Sequence, residues 1–380
     1  MDSKKYILLT IDVEDWFQVE NFRPWIPFET WDQRELRVEH NTHRLLDLFD
    51  SFEVVHRAGS MTHGVEGTAN KTEELEGFRR RRIGVSQFHP GTEKKKYPKN
   101  PVNPVGQNKN KIQATFFVLG WLADKLPNLV REIQSRGHEI ASHGDNHNLC
   151  DRQSPAALKK ELTDCKKKLE DIIGSQVFGY RAPNFSVNND ILNLVEDCGY
   201  RYDSSYNSFA LHGRYGEVSL NGSSKKGLAH QMSADFFELP ISNIYFRRPL
   251  SYVYPVKFFR RKTSEDNLTG ELRATSSKRN DVNRFVLPWG GGAYFRLMPF
   301  PIFKQGIKKI LSKESAYLFY VHPWELDPEQ PEVVEANSFN KFKHYTNIRK
   351  SGDKLKKLIK SFNNCKFTTC SEYLKSLRQD

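Results

Sequence analysis

Residues 6–15 read Tyr-Ile-Leu-Leu-Thr-Ile-Asp-Val-Glu-Asp, an apolar run broken only by Thr10 that stops abruptly on acids. A short run of this kind, apolar on successive rather than alternate residues, is the pattern of a strand covered on both faces. It predicts a strand over Tyr6–Ile11, and similar runs follow at Ala114–Val118, Glu139–Ser142, Val177–Tyr180, Phe236–Ile241 and Ala316–Val321. Helical patterns lie between them. Trp121 to Arg136 carries Leu122, Leu126, Leu129, Val130 and Ile133 near a 3.6-residue period and stops before Gly137. Ser154-Pro155 supplies an N-cap and a first-turn proline to a helix closed by Gly174, and Asn189 opens a third over Ile191–Cys198, closed by Gly199. Strands alternating with helices predict an α/β fold built on a parallel sheet or barrel.

In such a fold the residues just past the strands gather on one face, whatever their distance in sequence. Here they are Asp12 after the first strand, His143 after the third, Arg181 after the fourth and His322 after the last. These are the residue types that move protons and hold metals. This convergence predicts an enzyme more firmly than any one motif.

Composition narrows the class. The 380 residues include 26 Phe, 15 Tyr and 6 Trp, too many aromatics for a disordered chain, although only 38% of residues are apolar. The five cysteines are odd in number and form no CxxC pair, which argues against a disulfide framework or a zinc knuckle. No run approaches the roughly 20 apolar residues of a membrane span, and the N-terminus offers no signal-type cleavage site, so a cytoplasmic protein is expected. The excess of 12 positive charges is uneven: residues 56–111 hold 12 Lys and Arg against five Glu. That stretch, and a second at about 257–284, lacks any apolar period, and both are expected to be polar insertions, the first flexible and the second a loop. No aromatic platform or recognition helix accompanies the charge, so no specific nucleic-acid partner is expected.

Five constellations bear on chemistry. Ser142-His143-Gly144-Asp145-Asn146-His147 places two imidazoles four apart after a strand, able to face one metal ion or, alone, to be a surface pair. Asp12-Val13-Glu14-Asp15 crowds three carboxylates that repel one another unless a cation joins them. Tyr180-Arg181-Ala182-Pro183-Asn184 offers a permanent cation able to anchor an acid. Val321-His322-Pro323-Trp324-Glu325 sets a histidine beside an aromatic wall, suited to a proton donor. In Tyr202-Asp203-Ser204-Ser205 the acid could orient a histidine or cap a turn.

Taken in order, these segments resemble the polysaccharide deacetylases with NodB homology, carbohydrate esterase family 4. The wider strings, among them Ala114-Thr-Phe-Phe-Val-Leu-Gly-Trp, Gly290-Gly-Gly-Ala-Tyr-Phe-Arg and His322-Pro-Trp-Glu, resemble the subgroup associated with exosortase and exopolysaccharide loci. The resemblance implies a single domain over residues 1–380, folded as a distorted (β/α)7 barrel with the two polar insertions. It implies hydrolysis of N-acetyl groups on amino sugars of an N-acetylated polysaccharide or lipid-linked oligosaccharide. Under it Asp12 matches the catalytic base, Arg181 the residue holding that base, His322 the general acid, and Asp203 the nearest counterpart of a further catalytic acid. His143 and His147 match metal ligands, with Glu14 as the third and Asp15 as its rival, because Val13 stands where the common motif has a second aspartate. A backbone N–H near Asn184 would steady the oxyanion. The implied cofactor is a divalent metal, zinc first, with cobalt or nickel able to use the same ligands. A same-fold amidohydrolase acting on peptidoglycan or another amide, and a carbohydrate-binding barrel without turnover, are the competing expectations.

Overall fold

The structure, a computed structural model, describes residues 4–59, 112–209, 215–247 and 284–378. In chain order its strands are β1 (Tyr6–Val13), β2 (Ala114–Val118), β3 (Glu139–Ser142), β4 (Gly179–Tyr180), β5 (Tyr202–Asp203), β6 (Ser224–Lys226), β7 (Ala229–Gln231), β8 (Phe237–Glu238), β9 (Asn243–Arg247), β10 (Arg284–Pro288), β11 (Ala316–Val321) and β12 (Lys366–Phe367). The α-helices are α1 (Val38–Gly59), α2 (Gly120–Lys125), α3 (Pro127–Ser135), α4 (Pro155–Ile173), α5 (Asn189–Asp197), α6 (Gly292–Leu297), α7 (Phe300–Glu314), α8 (Ser338–Tyr345), α9 (Ser351–Ser361) and α10 (Cys370–Ser376). The polar stretches expected at 56–111 and 257–284 lie outside the described residues, except that 56–59 continue α1 and 284 opens β10.

Seven parallel strands form a curled sheet in the order β11-β1-β2-β3-β4-β5-β8, with the antiparallel β7 and β6 continuing past β8. β1 is central, pairing with β11 from Tyr6↔Ala316 to Ile11↔Val321 and with β2 from Leu9↔Ala114 to Val13↔Val118. Its alternation sorts two cores. Ile7, Leu9, Ile11 and Val13 pack with the surrounding helices, whereas Leu8 joins Phe117, Ala141 and Leu318 inside the curl. Leu8, Thr10 and Asp12 share the inner face by the two-residue period, so the strand itself aims Asp12 into the barrel.

The expected distorted barrel is therefore present as a half-barrel with a seam between β8 and β11. The segments after β10 and before β9 fill that seam: Gly291 bridges Tyr320 in parallel fashion, Gly290 O accepts from Tyr320 N at 2.7 Å, and Ser242 Oγ accepts from Leu318 N at 2.9 Å. Only glycine fits there, because a Cβ on Gly290 would lie 2.3 Å from Ile241 Cγ2 and one on Gly291, at φ 136°, 1.9 Å from Tyr320 O.

Three sequence expectations need correction. The helix expected over Trp121–Arg136 is two helices, α2 and α3, because Pro127 disfavours helical geometry at Leu126, which sits at φ −130°, ψ 52°. The strands expected at Val177–Tyr180 and Phe236–Ile241 shrink to Gly179–Tyr180 and Phe237–Glu238. The third helix is capped one residue earlier than expected, by Asn188, whose side chain accepts from Ile191 N at 2.9 Å. The Ser154 cap and the Gly174 stop (φ 67°) are as expected.

Candidate active site

The ends of β1, β3 and β11 deliver their polar residues to one cavity of about 330 Å³, and Arg181 at the end of β4 supports it by holding Asp12. Asp12, Glu14, His143, His147 and His322 all line it. β1 runs two residues further than the sequence suggested, and a tight turn at Val13, in which Glu14 N donates to Asp12 O at 2.9 Å, brings Glu14 over the strand end beside Asp12.

Asp15 faces away. Its Oδ2 accepts from Arg37 N (2.7 Å) and Val38 N (2.8 Å), its Oδ1 from Trp16 N (2.8 Å), and its side chain is buried. It caps α1. Burial pushes its carboxyl up to about 6, against three N–H bonds that favour the charged form.

Glu14 Oε1 lies 3.0 Å from His143 Nε2 and 3.2 Å from His147 Nε2. His143 Nδ1 is 2.8 Å from the carbonyl oxygen of Arg181, which can only accept, so Nδ1 carries a proton. In the neutral ring Nε2 is then a bare lone pair aimed at a carboxylate oxygen. That contact demands a shared cation, either a proton or a metal ion. Among the described residues Glu14, His143 and His147 form the group whose ligand atoms all lie within 4.8 Å of one another. Two imidazoles and one carboxylate, all buried, are a donor set that fits a divalent metal with open positions. Burial pushes the Glu14 carboxyl up, but the neighbouring His147 and His322 and the two imidazole hydrogen bonds hold it well below the usual range. Burial pushes His147 down, and the Glu14 carboxylate more than reverses this. His147 also adopts the left-handed conformation (φ 55°), a local strain of the kind held at functional sites.

Asp12 is fixed by Arg181, whose Nη1 donates to Asp12 Oδ1 at 2.5 Å and to Thr10 Oγ1 at 2.8 Å. The rest of the guanidinium is anchored on Ser204, through its carbonyl and its hydroxyl, both at 2.8 Å, and Arg181 is wholly buried over the Phe117 ring. Asp12 Oδ2 is left toward the cavity, 3.8 Å from His322 Nε2.

His322 is oriented by groups the sequence reading did not assign. Its Nδ1 donates to Glu325 Oε1 at 2.8 Å, and Glu325 Oε2 accepts from Arg296 Nε at 2.8 Å, with Glu325 and Arg296 both buried. The ring stacks on Trp324 at 5.2 Å, and Trp324 stacks on His344 at 4.1 Å. Burial lowers the His322 pKa, but Glu14, Glu325 and Asp12 raise it to about 9. The usable signal was the His-Pro-Trp-Glu spacing, since a glutamate three residues on reaches back in a capping box. Arg296, 26 residues earlier, ends the Gly290-Gly-Gly-Ala-Tyr-Phe-Arg string, but nothing local in that string shows what its guanidinium holds.

Asp203 does not line this cavity. Its oxygens accept from Ser205 N and Ser205 Oγ, each at 2.8 Å, and Ser205 Oγ in turn accepts from Ala182 N at 2.8 Å. In the short β5 successive side chains point opposite ways. Ser204 therefore meets Arg181 while Asp203 steadies the turn, and Asp203 braces the arginine loop from behind. Asn184 does line the cavity, in the left-handed region at φ 50°.

The sequence matches the polysaccharide deacetylase family over residues 107–202 and a domain of unknown function, DUF3473, over residues 253–375. The peptidoglycan-N-acetylglucosamine deacetylase of Bacillus cereus is 30% identical over 91 residues, 24% of this chain and 42% of that protein. The chitooligosaccharide deacetylase of Azorhizobium caulinodans is 37% identical over 90 residues, 23% of this chain and 42% of that protein. The chain thus spans less than half the length of these curated relatives. A crystal structure of a Mycobacterium smegmatis protein assigned to the polysaccharide deacetylases has the same fold, with a TM-score of 0.51 at 16% identity over 100% of this chain and 92% of that one. His143, His147 and Arg181 fall in the first matched segment, Arg296, His322 and Glu325 in the second. The fold, the strand-end cluster and the matched segments agree with one another: residues 107–202 match the polysaccharide deacetylase family, residues 253–375 match DUF3473, and both segments supply residues to the same cavity.

Proposed function

We propose that this protein is a metal-dependent N-deacetylase that hydrolyses the acetamido group of an amino sugar in an exopolysaccharide or a related glycan. The observation that carries the reading is the meeting, in one cavity, of an arginine-held aspartate, a Glu-His-His cluster and a carboxylate-held histidine. Since both matched segments feed that cavity, the chain is read as a single functional unit.

Glu14, His143 and His147 would hold the metal, zinc by the donor set, with cobalt and nickel as competitors. When bound, such an ion polarises the acetyl carbonyl and makes water a better nucleophile at neutral pH. The chain's own groups do the rest. Asp12 Oδ2 takes a proton from the attacking water while Arg181 keeps Oδ1 occupied. The new C–O bond leaves charge on the former carbonyl oxygen, which a backbone N–H near Asn184 would steady. His322, held as imidazolium by Glu325, gives its Nε2 proton to the amide nitrogen as the C–N bond breaks, so that a neutral amine and acetic acid depart, the acid losing its remaining proton to solvent as acetate. Asp203 has a positioning role here. Peptidoglycan, the substrate in the name of the Bacillus cereus relative, presents the same amide and belongs in the substrate panel.

The test is acetate release by metal-loaded protein from N-acetylated glycans, with equal yields of free amine. Turnover lost on chelation and restored by zinc supports the reading. A chelated protein as active as the loaded one refutes its metal dependence.

A further inference from the structure

The catalytic cluster uses the floor of the cavity; its rim is different. Leu297 at the end of α6 and Phe339 and Phe342 on α8 line the same cavity yet are 40%, 63% and 56% exposed. Apolar side chains left in water beside a reaction centre call for an occupant, and continuity with the floor says what kind. Whatever covers them is joined to the acetamido sugar below. Glu20, Asn21 and Lys343 line the cavity as well, so polar groups interleave with the rings. That mixture suits a pyranose, with its apolar C–H faces and hydroxyl edges, better than a hydrocarbon, which would strip water from those groups for nothing in return.

The rim is also rigidly tied to the chemistry. Arg296, which holds Glu325 behind His322, donates as well to the carbonyls of Lys343 (2.8 Å), His344 and Thr346 (3.0 Å), where α8 ends. Asn347 Nδ2 returns a bond to Arg296 O at 3.1 Å. On the other side Asn340 Nδ2 donates to Asn21 O at 3.1 Å, and Phe22 packs against His344 at 4.6 Å. Lys343 Nζ sits 4.3 Å from the Phe339 ring centre, which leaves the other ring face for a ligand.

We infer that the α6–α8 rim is a second saccharide subsite, in which Phe339 and Phe342 stack on the sugar ring next to the one being deacetylated, so that the DUF3473 segment selects oligomeric over monomeric substrate. This rests on the deacetylase reading for the identity of the floor's occupant. The two are tested separately by binding and turnover. Chitotetraose binding to Asp12→Asn is followed by NMR titration, with and without Phe339→Ala/Phe342→Ala, and metal content and circular dichroism verify the fold. We expect the double substitution to weaken tetramer binding about tenfold or more. In the active protein it should lower the ratio of kcat/KM for chitotetraose over N-acetylglucosamine by a similar factor, mostly through KM. Tetramer binding and that ratio both unchanged in the double variant would overturn the subsite even if acetate release is robust. Tetramer binding that depends on both rings supports it even in a protein that releases no acetate. If octyl N-acetylglucosaminide, and not the tetramer, loses binding in the double variant, the rim accepts a lipid tail and the saccharide assignment is wrong.

Discussion

Asp15 and Glu14 are adjacent acids that the structure sends to different work, and exchanging their fates is a sharp test. In Asp15→Ala three backbone N–H groups, of Trp16 and Val38 in the interior and of Arg37 half-buried, lose their acceptor. A capping residue alone is worth about 0.5–2 kcal/mol, and each stranded buried donor about 1–3 kcal/mol. Some relaxation will let water or a neighbour satisfy one of them, so we expect a loss of about 3–5 kcal/mol. For a chain of this size that corresponds to a fall in melting temperature of roughly 4–6 °C. Metal stoichiometry, measured by elemental analysis on protein kept below its transition, should stay at one ion per chain. Glu14→Gln should do the reverse: little change in the melting temperature of the chelated protein, but metal affinity weakened about a hundredfold in chelator competition, because a neutral amide replaces the anionic ligand. The reasoning fails if Asp15→Ala melts like the wild type and loses metal while Glu14→Gln retains it.

Other consequences follow from the same geometry. Glu325→Gln removes the carboxylate that keeps His322 protonated and turned toward Asp12, so kcat should fall roughly 10²-fold with KM and metal content nearly unchanged; an unaltered kcat would remove Glu325 from the mechanism. Arg181→Lys cannot reproduce the fork that holds Asp12, Thr10 and Ser204 together, and by leaving a buried pair incompletely bonded it should cost about 3–5 kcal/mol in chemical denaturation as well as activity. In chelated protein, His322 has its pKa raised to about 9 in the folded state, so its stabilising contribution is complete below about pH 6.5 and fades as pH rises through 9. The melting temperature should therefore decline over that window, by no more than about 3 kcal/mol in stability, and His322→Gln should flatten the decline. A wild-type profile with no slope there would show that the imidazole is not held charged.

Much of this was legible because the informative elements obey simple periods. β2, β3 and β11 match their sequence-derived limits, being short runs that are buried at nearly every position on both faces. β4, β5 and β8 are two residues long, too short for any period to register, and their ends depend on neighbours in the sheet. The break at Pro127 was hidden because α2 and α3 continue the same apolar face across it. At the site, residues on strand ends could be found from sequence because topology collects them, which is how Asp12, His143, Arg181 and His322 come to share one cavity wall or its support. Asp203 shows the limit of that argument: a strand end supplies a position but not a direction, and the two-residue alternation turned Ser204, not Asp203, toward Arg181. Arg296 and its ties to α8 depend on contacts across 29 to 50 residues, for which no local spacing exists.

The central claim is that the cluster formed by Asp12, the Glu14-His143-His147 group and His322 hydrolyses an acetamido bond. The most direct measurement is acetate and free-amine release from an N-acetylated oligosaccharide by zinc-loaded wild type and by zinc-loaded Asp12→Asn. The account predicts equal acetate and amine from the wild type, and a variant that keeps its metal but turns over at least about 10² times more slowly. A variant with full metal and wild-type turnover would contradict it.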